Sequence, residues 1–299
     1  LRVPASRAAL RCYSCSSVPE GEPLRVTVKR MPDGLASNWI CDSLQAGATL
    51  DVAPPAGVFT PRALEGEFLM YAGGSGITPV FSIVRSVLAA GSGRVRLVYA
   101  NRDERSVIFA AELARLSREH PRRLQVIHWL DSVQGIPSQA ELAALGAGFD
   151  KAQCFVCGPS RYMDTAAAAL DDLGVPHHNV HVERFVSLPD DADSQTVSQP
   201  PSMLSSSQKV KIEAELDGVV HHVEGEPGAL LIESLEAAGL SPPFSCRAGA
   251  CAACMCQLEE GDVELMHNHV LDQSELDGGW ILACQAVPQS PTIRIRYSP

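Results

Sequence analysis

Four cysteines constrain what the last third of this chain can fold into. Cys246, Cys251 and Cys254 follow a C-x4-C-x2-C spacing, and Cys284 comes after twenty-nine further residues. That spacing suits a [2Fe–2S] cluster: a tight loop supplies three thiolates and several backbone N–H groups to the sulfurs, and a distant segment supplies the fourth ligand. Small residues in the loop, Ala248, Gly249, Ala250, Ala252 and Ala253, let the backbone come that close. A structural zinc site is the alternative for four cysteines, but zinc ligands are usually paired as two short hooks, whereas here three stand together and one apart. Cys256 falls where the chain re-enters a strand over 255–258, so it is expected to be a buried small hydrophobe and not a ligand.

The elements around this loop read as a small α+β domain of β-grasp order over 209–299. Residues 209–216 alternate as a strand, Asp217-Gly218 makes a hairpin turn, 219–223 return, and 229–238 read as a helix ended by Gly239. Before it, 187–208 have the Pro- and Ser-rich composition of a linker. Residues 63–186 alternate short apolar runs (68–72, 95–100, 124–129, 154–157) with helical stretches (80–90, 110–119, 138–145, 163–173), the pattern of an α/β domain with a parallel sheet. Residues 1–62 carry short β segments, 25–29 and 49–52, between turn residues and are expected to form a partial antiparallel β-barrel, incomplete at its N-terminal side. The expected fold is therefore multi-domain.

Charge narrows the partners. The net charge is −11, of which −9 falls within 209–299, so nucleic-acid binding is excluded as an expectation. Two readings of that acid stand side by side: a solvated surface, or a docking face for a basic redox partner, with Glu259, Glu260, Asp262 and Glu264 as its rim. No apolar run approaches a membrane span and no leader-like stretch opens the chain, so a soluble, cytoplasmic protein, monomeric and without membrane contact, is expected. Ten cysteines, four of them wanted as thiolates, agree with a reducing compartment.

Two further groups of residues carry chemistry. Gly73-Gly74-Ser75-Gly76-Ile77-Thr78-Pro79 follows an expected strand and opens a helix at Pro79, so a ligand phosphate could approach the backbone there; Cys157-Gly158-Pro159 ends a later strand at the same sheet edge. Cys154 and Cys157 form C-x-x-C, but within a strand residues three apart point to opposite faces, which favours a sheet over a redox pair and leaves Cys157 at the strand end, where it could lie beside a nicotinamide. Near the start, Arg11-Cys12-Tyr13-Ser14, then Lys29, then Gly34-Leu35-Ala36-Ser37 offer a guanidinium for pyrophosphate, a ring for an isoalloxazine and a helix start for phosphate.

In this order the motifs resemble the ferredoxin–NADP⁺ reductase superfamily, in the branch with a C-terminal plant-type ferredoxin, and the resemblance covers essentially the whole chain. Arg11 to Ser14, Asp33 to Trp39, and Tyr99-Ala100-Asn101-Arg102 with Arg105 to Phe109 look especially like the reductase components of 3-ketosteroid 9α-hydroxylases. Reductases of di-iron enzymes such as phenylacetyl-CoA epoxidase are more distant look-alikes, and a cluster-bearing binding or sensing module without turnover is the alternative from another class.

The resemblance implies FAD held by Arg11, Tyr13, Ser14, Lys29, Gly34 and Ser37, and a nicotinamide dinucleotide held by Gly74, Gly76, Thr78, Asn101, Arg102, Cys157 and Gly158. It further implies Glu183 and Phe185 beside the flavin, with Tyr13, Thr78, Cys157 and Phe185 nearest the chemistry, and a terminal oxygenase docking near the acidic ferredoxin domain. Asp103 and Glu104 beside the expected adenosine ribose would repel a 2′-phosphate, which favours NADH over NADPH. Two departures from the family pattern stand out. Ala252 replaces the glycine common after the second cluster cysteine, which requires the backbone there to avoid positive φ, and the first barrel strands are expected to be absent from residues 1–62.

Overall fold

The computed structural model of the protein describes residues 1, 11–19, 21–52, 54–185, 209–244, 246–271 and 273–297. The expected linker, 187–208, lies outside the described residues. The chain divides into two compact units: one comprises Tyr13–Leu44 and Phe59–Phe185, the other Leu1–Cys12, Gln45–Val58 and Val186–Pro299.

In the first unit, helix α1 (Leu35–Ser43) precedes a parallel α/β assembly. Strand β1 (Glu67–Gly73) is buried at six consecutive positions, the pattern of a strand covered on both faces. Helix α2 (Ile77–Ala89), β2 (Arg94–Asn101), α3 (Ala110–Glu119), β3 (Leu124–Leu130), the single turn α4 (Asp131–Gln134), α5 (Gln139–Gly146), β4 (Gln153–Cys157), α6 (Ser160–Asp172) and β5 (Val180–Glu183) follow. The sheet order is β3-β2-β1-β4-β5, all parallel, so the strand order reverses between β1 and β4. Helices α2 and α3 close one face around Phe68, Met70, Leu97 and Phe155; α5 and α6 close the other around Leu69, Val98, Cys154 and Leu170.

Two helices start earlier than their sequence suggests. Helix α2 begins at Ile77 instead of Pro79: Pro79 occupies the first turn, where no backbone N–H is required for the helical ladder. Helix α6 begins at Ser160, directly after Pro159, instead of at 163, because Pro159 sets the extended entry into its first turn.

The expected barrel strands are a larger correction. Among the described residues of 1–62 there is no closed sheet: the segment 25–29 makes one isolated bridge, Cys15↔Val26, and 49–52 joins no ladder. Side chains take the place of ladder bonds there. The Ser17 hydroxyl accepts from the Arg25 N–H at 3.0 Å, and the Ser16 and Thr27 hydroxyls share a hydrogen bond at 2.9 Å.

In the second unit, β6 (Val210–Leu216) and β7 (Val219–Gly225) form a hairpin whose turn residues Asp217 and Gly218 both have positive φ, 51° and 76°, as a two-residue turn between twisted strands requires. Then come α7 (Leu231–Ala237), β8 (Met255–Glu260), β9 (Val263–Leu265), α8 (Gln273–Asp277), β10 (Trp280–Leu282), β11 (Ala286–Pro288) and β12 (Thr292–Arg296). The main sheet runs β10-β8-β12-β6-β7, so the strand made last lies in the middle, parallel to β6 and antiparallel to β8; β9 and β11 pair separately. Ile212, Ala214, Ile293 and Ile295 face α7 residues Leu231, Ile232 and Leu235 in one core. Each fully buried Leu or Ile contributes about 1.5–3 kcal/mol, and Leu235→Ala would cost about 2–5 kcal/mol.

Candidate functional site

The cluster loop is held open by backbone geometry. Arg247, Gly249 and Ala252 all have positive φ, at 53°, 67° and 53°. The requirement that Ala252 avoid positive φ is therefore not met; the turn that brings Cys251 and Cys254 to one side imposes the left-handed conformation on an alanine. Gly249 leaves no choice of residue, since a Cβ there would lie 2.5 Å from the His267 carbonyl. The N–H groups of Ala248 and Ala250 donate to Cys246 Sγ at 3.3 Å, and the Cys246 N–H to Cys251 Sγ at 3.4 Å. Ala283 N–H donates to the Cys254 carbonyl at 3.1 Å, which sets Cys284 beside Cys254.

The four thiols form two pairs. A hydrogen bond with the Cys251 thiol, helped by the two backbone N–H groups, holds Cys246 well below the usual thiol range against the opposing effect of burial. Cys284 is likewise lowered, chiefly by Cys254. Among the described residues no three His, Cys, Asp or Glu side chains converge on a point that one metal ion could fill. Thiols gathered in two pairs beside N–H donors fit the needs of a two-iron cluster. Cys256 is fully buried in the core, as expected. Gln285 was not anticipated: its Nε2 donates to the carbonyls of Arg247 at 2.9 Å and Cys284 at 2.8 Å, tying the two ligand-bearing segments together. A glutamine inside the otherwise apolar run 281–288 was its signal.

In the other unit, the carboxyl edge of the sheet between β1 and β4, where the strand order reverses, gathers the second group. Cys157 belongs to one face of the sheet and Cys154 to the other, so the C-x-x-C is not a thiol pair. Gly76 lies against the end of β4, where a Cβ would be 2.1 Å from the Cys157 carbonyl, and the position of a Cβ on Gly158 is 3.0 Å from the Gly73 backbone. These glycines serve close packing of the two strand ends. Gly74 differs: it has φ +53°, and only Lys29 Nζ lies near its Cβ position, at 3.4 Å. Lys29, expected on the flavin, thus has its ammonium over the glycine loop. The Thr78 hydroxyl is buried and donates to the Ser75 carbonyl at 3.1 Å.

Glu183, paired in register with Cys157, accepts a hydrogen bond from the Ser14 hydroxyl at 3.0 Å. Burial pushes its carboxyl up to about 7, against the Ser14 hydrogen bond, and its charge in turn adds to the burial that raises the Cys157 and Cys15 thiols. Phe185, two residues on, is 45% exposed, leaving a ring face open to a planar ligand. Gly34 caps α1, and the buried Ser37 hydroxyl accepts from the Met31 N–H at 3.1 Å and donates to the Gly34 carbonyl at 3.3 Å. Tyr13 is half-buried in this same unit; Arg11 belongs to the other.

At the end of β2, Asn101 is 4% exposed, and neither its amide nitrogen nor its oxygen makes a well-formed hydrogen bond among the described residues, the Tyr99 hydroxyl being near enough for the amide to act on that phenol. A buried amide left this way is costly unless a ligand completes it. Arg102 is exposed, and Asp103 caps the turn Glu104–Ser106, accepting from the Ser106 N–H and hydroxyl at 2.9 Å each, which lowers its carboxyl. Tyr99, two residues before Asn101 on the same face, is a polar residue that the motif reading did not assign.

No helix among the described residues is long and apolar enough to cross a membrane. A family described as the 2Fe-2S iron-sulfur cluster binding domain matches residues 214–289, and one described as the oxidoreductase NAD-binding domain matches 70–168. The chain is 45% identical over 300 residues to the 3-ketosteroid-9-alpha-monooxygenase, ferredoxin reductase component, of Rhodococcus rhodochrous, covering 99% of this chain and 86% of that one. It is 33% identical to a component of the 1,2-phenylacetyl-CoA epoxidase of Escherichia coli, covering 96% and 83%. Among solved structures it shares its fold with phthalate dioxygenase reductase, described as a modular structure for electron transfer from pyridine nucleotides to [2Fe–2S], at a TM-score of 0.52 and 23% identity over 99% of this chain and 85% of that one.

Proposed function

The chain belongs to the family of ferredoxin reductase components of 3-ketosteroid-9-alpha-monooxygenases, and we propose that it passes electrons from NADH through FAD and a [2Fe–2S] cluster to a partner oxygenase of the steroid-hydroxylating kind. The observation that carries this reading is the loop whose N–H groups converge on Cys246 and Cys251 Sγ, with Cys284 drawn beside Cys254, in one chain with a parallel sheet whose edge holds the buried amide of Asn101. The higher identity to the steroid reductases, 45% against 33% for the epoxidase component, favours them over a di-iron partner.

When bound, the nicotinamide, flavin and cluster would together supply two-electron and one-electron redox chemistry. The protein's own residues orient and insulate. We assign residues 1–62 to the flavin, including any barrel they complete, 63–186 to the nicotinamide dinucleotide, 187–208 to a linker and 209–299 to the cluster. Gly74, Gly76 and Gly158 would hold the dinucleotide backbone, with Thr78 ordering the loop's first turn and Lys29 facing pyrophosphate. Asn101 would complete its hydrogen bonds on the ribose side, beside Arg102, and the Asp103 and Glu104 carboxylates would favour NADH. Tyr13 and Phe185 would flank the flavin ring, with Arg11, Ser14, Gly34 and Ser37 along its phosphates. Glu183, half-buried and neutral in part near pH 7, would keep a proton beside Cys157. The four cysteines would ligate the irons.

Docking of the oxygenase against the acid-rich 209–299, steered by charge, belongs to the same proposal, as does a monomeric, cytoplasmic protein with no nucleic-acid partner. The test is the visible spectrum of the purified protein before and after anaerobic NADH. Flavin and iron–sulfur absorption that both bleach are expected; a cluster that NADH leaves oxidised would overturn the proposed route.

A further inference from the structure

The Tyr99 ring is fully buried at the carboxyl end of β2, and its hydroxyl joins two backbone segments. It donates to the Gly74 carbonyl at 3.0 Å and accepts from the Ile108 N–H at 3.2 Å. Both segments are bent away from regular structure at that point. Gly74 opens the short turn Gly74–Gly76 with φ +53°, and its carbonyl also accepts from the Ile77 N–H, so its two lone pairs are used. Ile108 precedes Phe109, which sits at φ 60° and stacks on Phe81 of α2 with ring centroids 4.1 Å apart. Holding a phenylalanine in the left-handed region needs surrounding structure that fixes it. Burial pushes the phenol up to about 12, so the hydroxyl remains a proton donor throughout the neutral range.

We propose that Tyr99 is a positioning residue for the nicotinamide dinucleotide: its hydroxyl pins the Gly74 carbonyl inward, so that the N–H groups of the glycine turn and the Lys29 ammonium face the pyrophosphate, and it couples that turn to the ribose-side segment ending at Ile108. This rests on the reading of residues 73–76 as the dinucleotide loop. A phenylalanine ring fills the same volume but can neither donate to Gly74 nor accept from Ile108, so the loop would sample conformations in which its N–H groups are misdirected, and binding would weaken by the fraction of time spent there.

The experiment compares wild type, Tyr99→Phe and Tyr71→Phe as full-length, cofactor-loaded proteins reducing an artificial acceptor with NADH. Tyr71 is an equally buried phenol on β1 whose hydroxyl donates to the Leu142 carbonyl at 2.7 Å on the opposite face of the sheet. Tyr99→Phe is expected to raise KM for NADH about tenfold with a smaller change in kcat, as expected for loss of binding in the ground and transition states alike. Its flavin-to-cluster absorption ratio and its full bleaching by dithionite are expected to match wild type. Tyr71→Phe is expected to lower the thermal midpoint and leave KM unchanged. Because KM does not depend on the amount of folded enzyme, partial loss of folding in either variant lowers the rate without imitating this split. An unchanged KM in Tyr99→Phe, or an equal rise in Tyr71→Phe, overturns the positioning role; a wild-type protein that NADH cannot reduce overturns the loop reading beneath it.

Discussion

Two residues show how far single positions depart from what their letters suggest. Ala252 stands at φ 53° in the cluster loop, where a Cβ is disfavoured by roughly 1 kcal/mol. Ala252→Gly is expected to stabilise the cysteine-bearing unit by about 0.5–1 kcal/mol, the smaller figure allowing for the added freedom of the unfolded chain. Loss of cluster absorbance on heating should shift upward by a few degrees, and a downward shift would show that the strain is relieved elsewhere. The sequence carried the alanine but not its dihedral angle, which the path between Cys251 and Cys254 dictates. Glu183 carries the converse lesson, since its identity was legible and its ionisation was not. Its folded carboxyl is raised from 4.5 to about 7, so the folded state binds more protons than the unfolded one between those values and stability falls as pH rises through that window. Glu183→Gln should flatten this fall. Denaturant midpoints at pH 5 and pH 8 would reveal a wild-type loss of up to about 3 kcal/mol that the variant lacks.

At the scale of elements, the glycine turn between β1 and α2 was legible as a turn, but its reasons differ from glycine to glycine. Gly76 is fixed by the Cys157 carbonyl, 2.1 Å from where a Cβ would sit, whereas Gly74 is fixed by its positive φ. Gly76→Ala must push two strand ends apart and is expected to cost about 1–3 kcal/mol; Gly74→Ala is expected to cost about 1 kcal/mol. Urea unfolding followed by circular dichroism ranks them, and the reverse order would contradict this account. The parallel strands were readable because burial on both faces leaves long apolar runs, and the hairpin because Asp217-Gly218 suits its turn. The barrel strands were not: 25–29 make one isolated bridge and otherwise meet serine and threonine hydroxyls, and 49–52 join no ladder.

Across the whole molecule, charge is the property that acts at a distance. The acid of 209–299 is partly answered by its own arginines: Arg294 lies 3.0 Å from Glu213 and 3.4 Å from Glu260, and Arg296 lies 3.0 Å from Glu259. Glu259 and Glu260 also stand at the opposite end of β8 from Cys254, on the order of 15–20 Å along the strand. Asp262, in the turn that follows, shares that end, but among the described residues neither it nor Glu264 is ion-paired to an arginine, so the rim expected from sequence is best tested at these two. If charge steers the oxygenase, its reduction should slow several-fold between 20 mM and 300 mM salt, and neutralising both residues should shrink that dependence. Stopped-flow rates that ignore salt would remove steering from the account.

The central place of β12 has a consequence in time. The sheet around the cluster loop cannot close until residues 292–296 leave the ribosome, because the strand that joins β6 to β8 is made after both of them. Cys246, Cys251 and Cys254 emerge more than thirty residues earlier, and their loop waits, without its central support, for a partner strand far away in sequence. Closure of the sheet beside the loop therefore waits on residues 292–296, and slowing translation between residues 254 and 292 should lengthen the period in which its thiols stand open to oxidants.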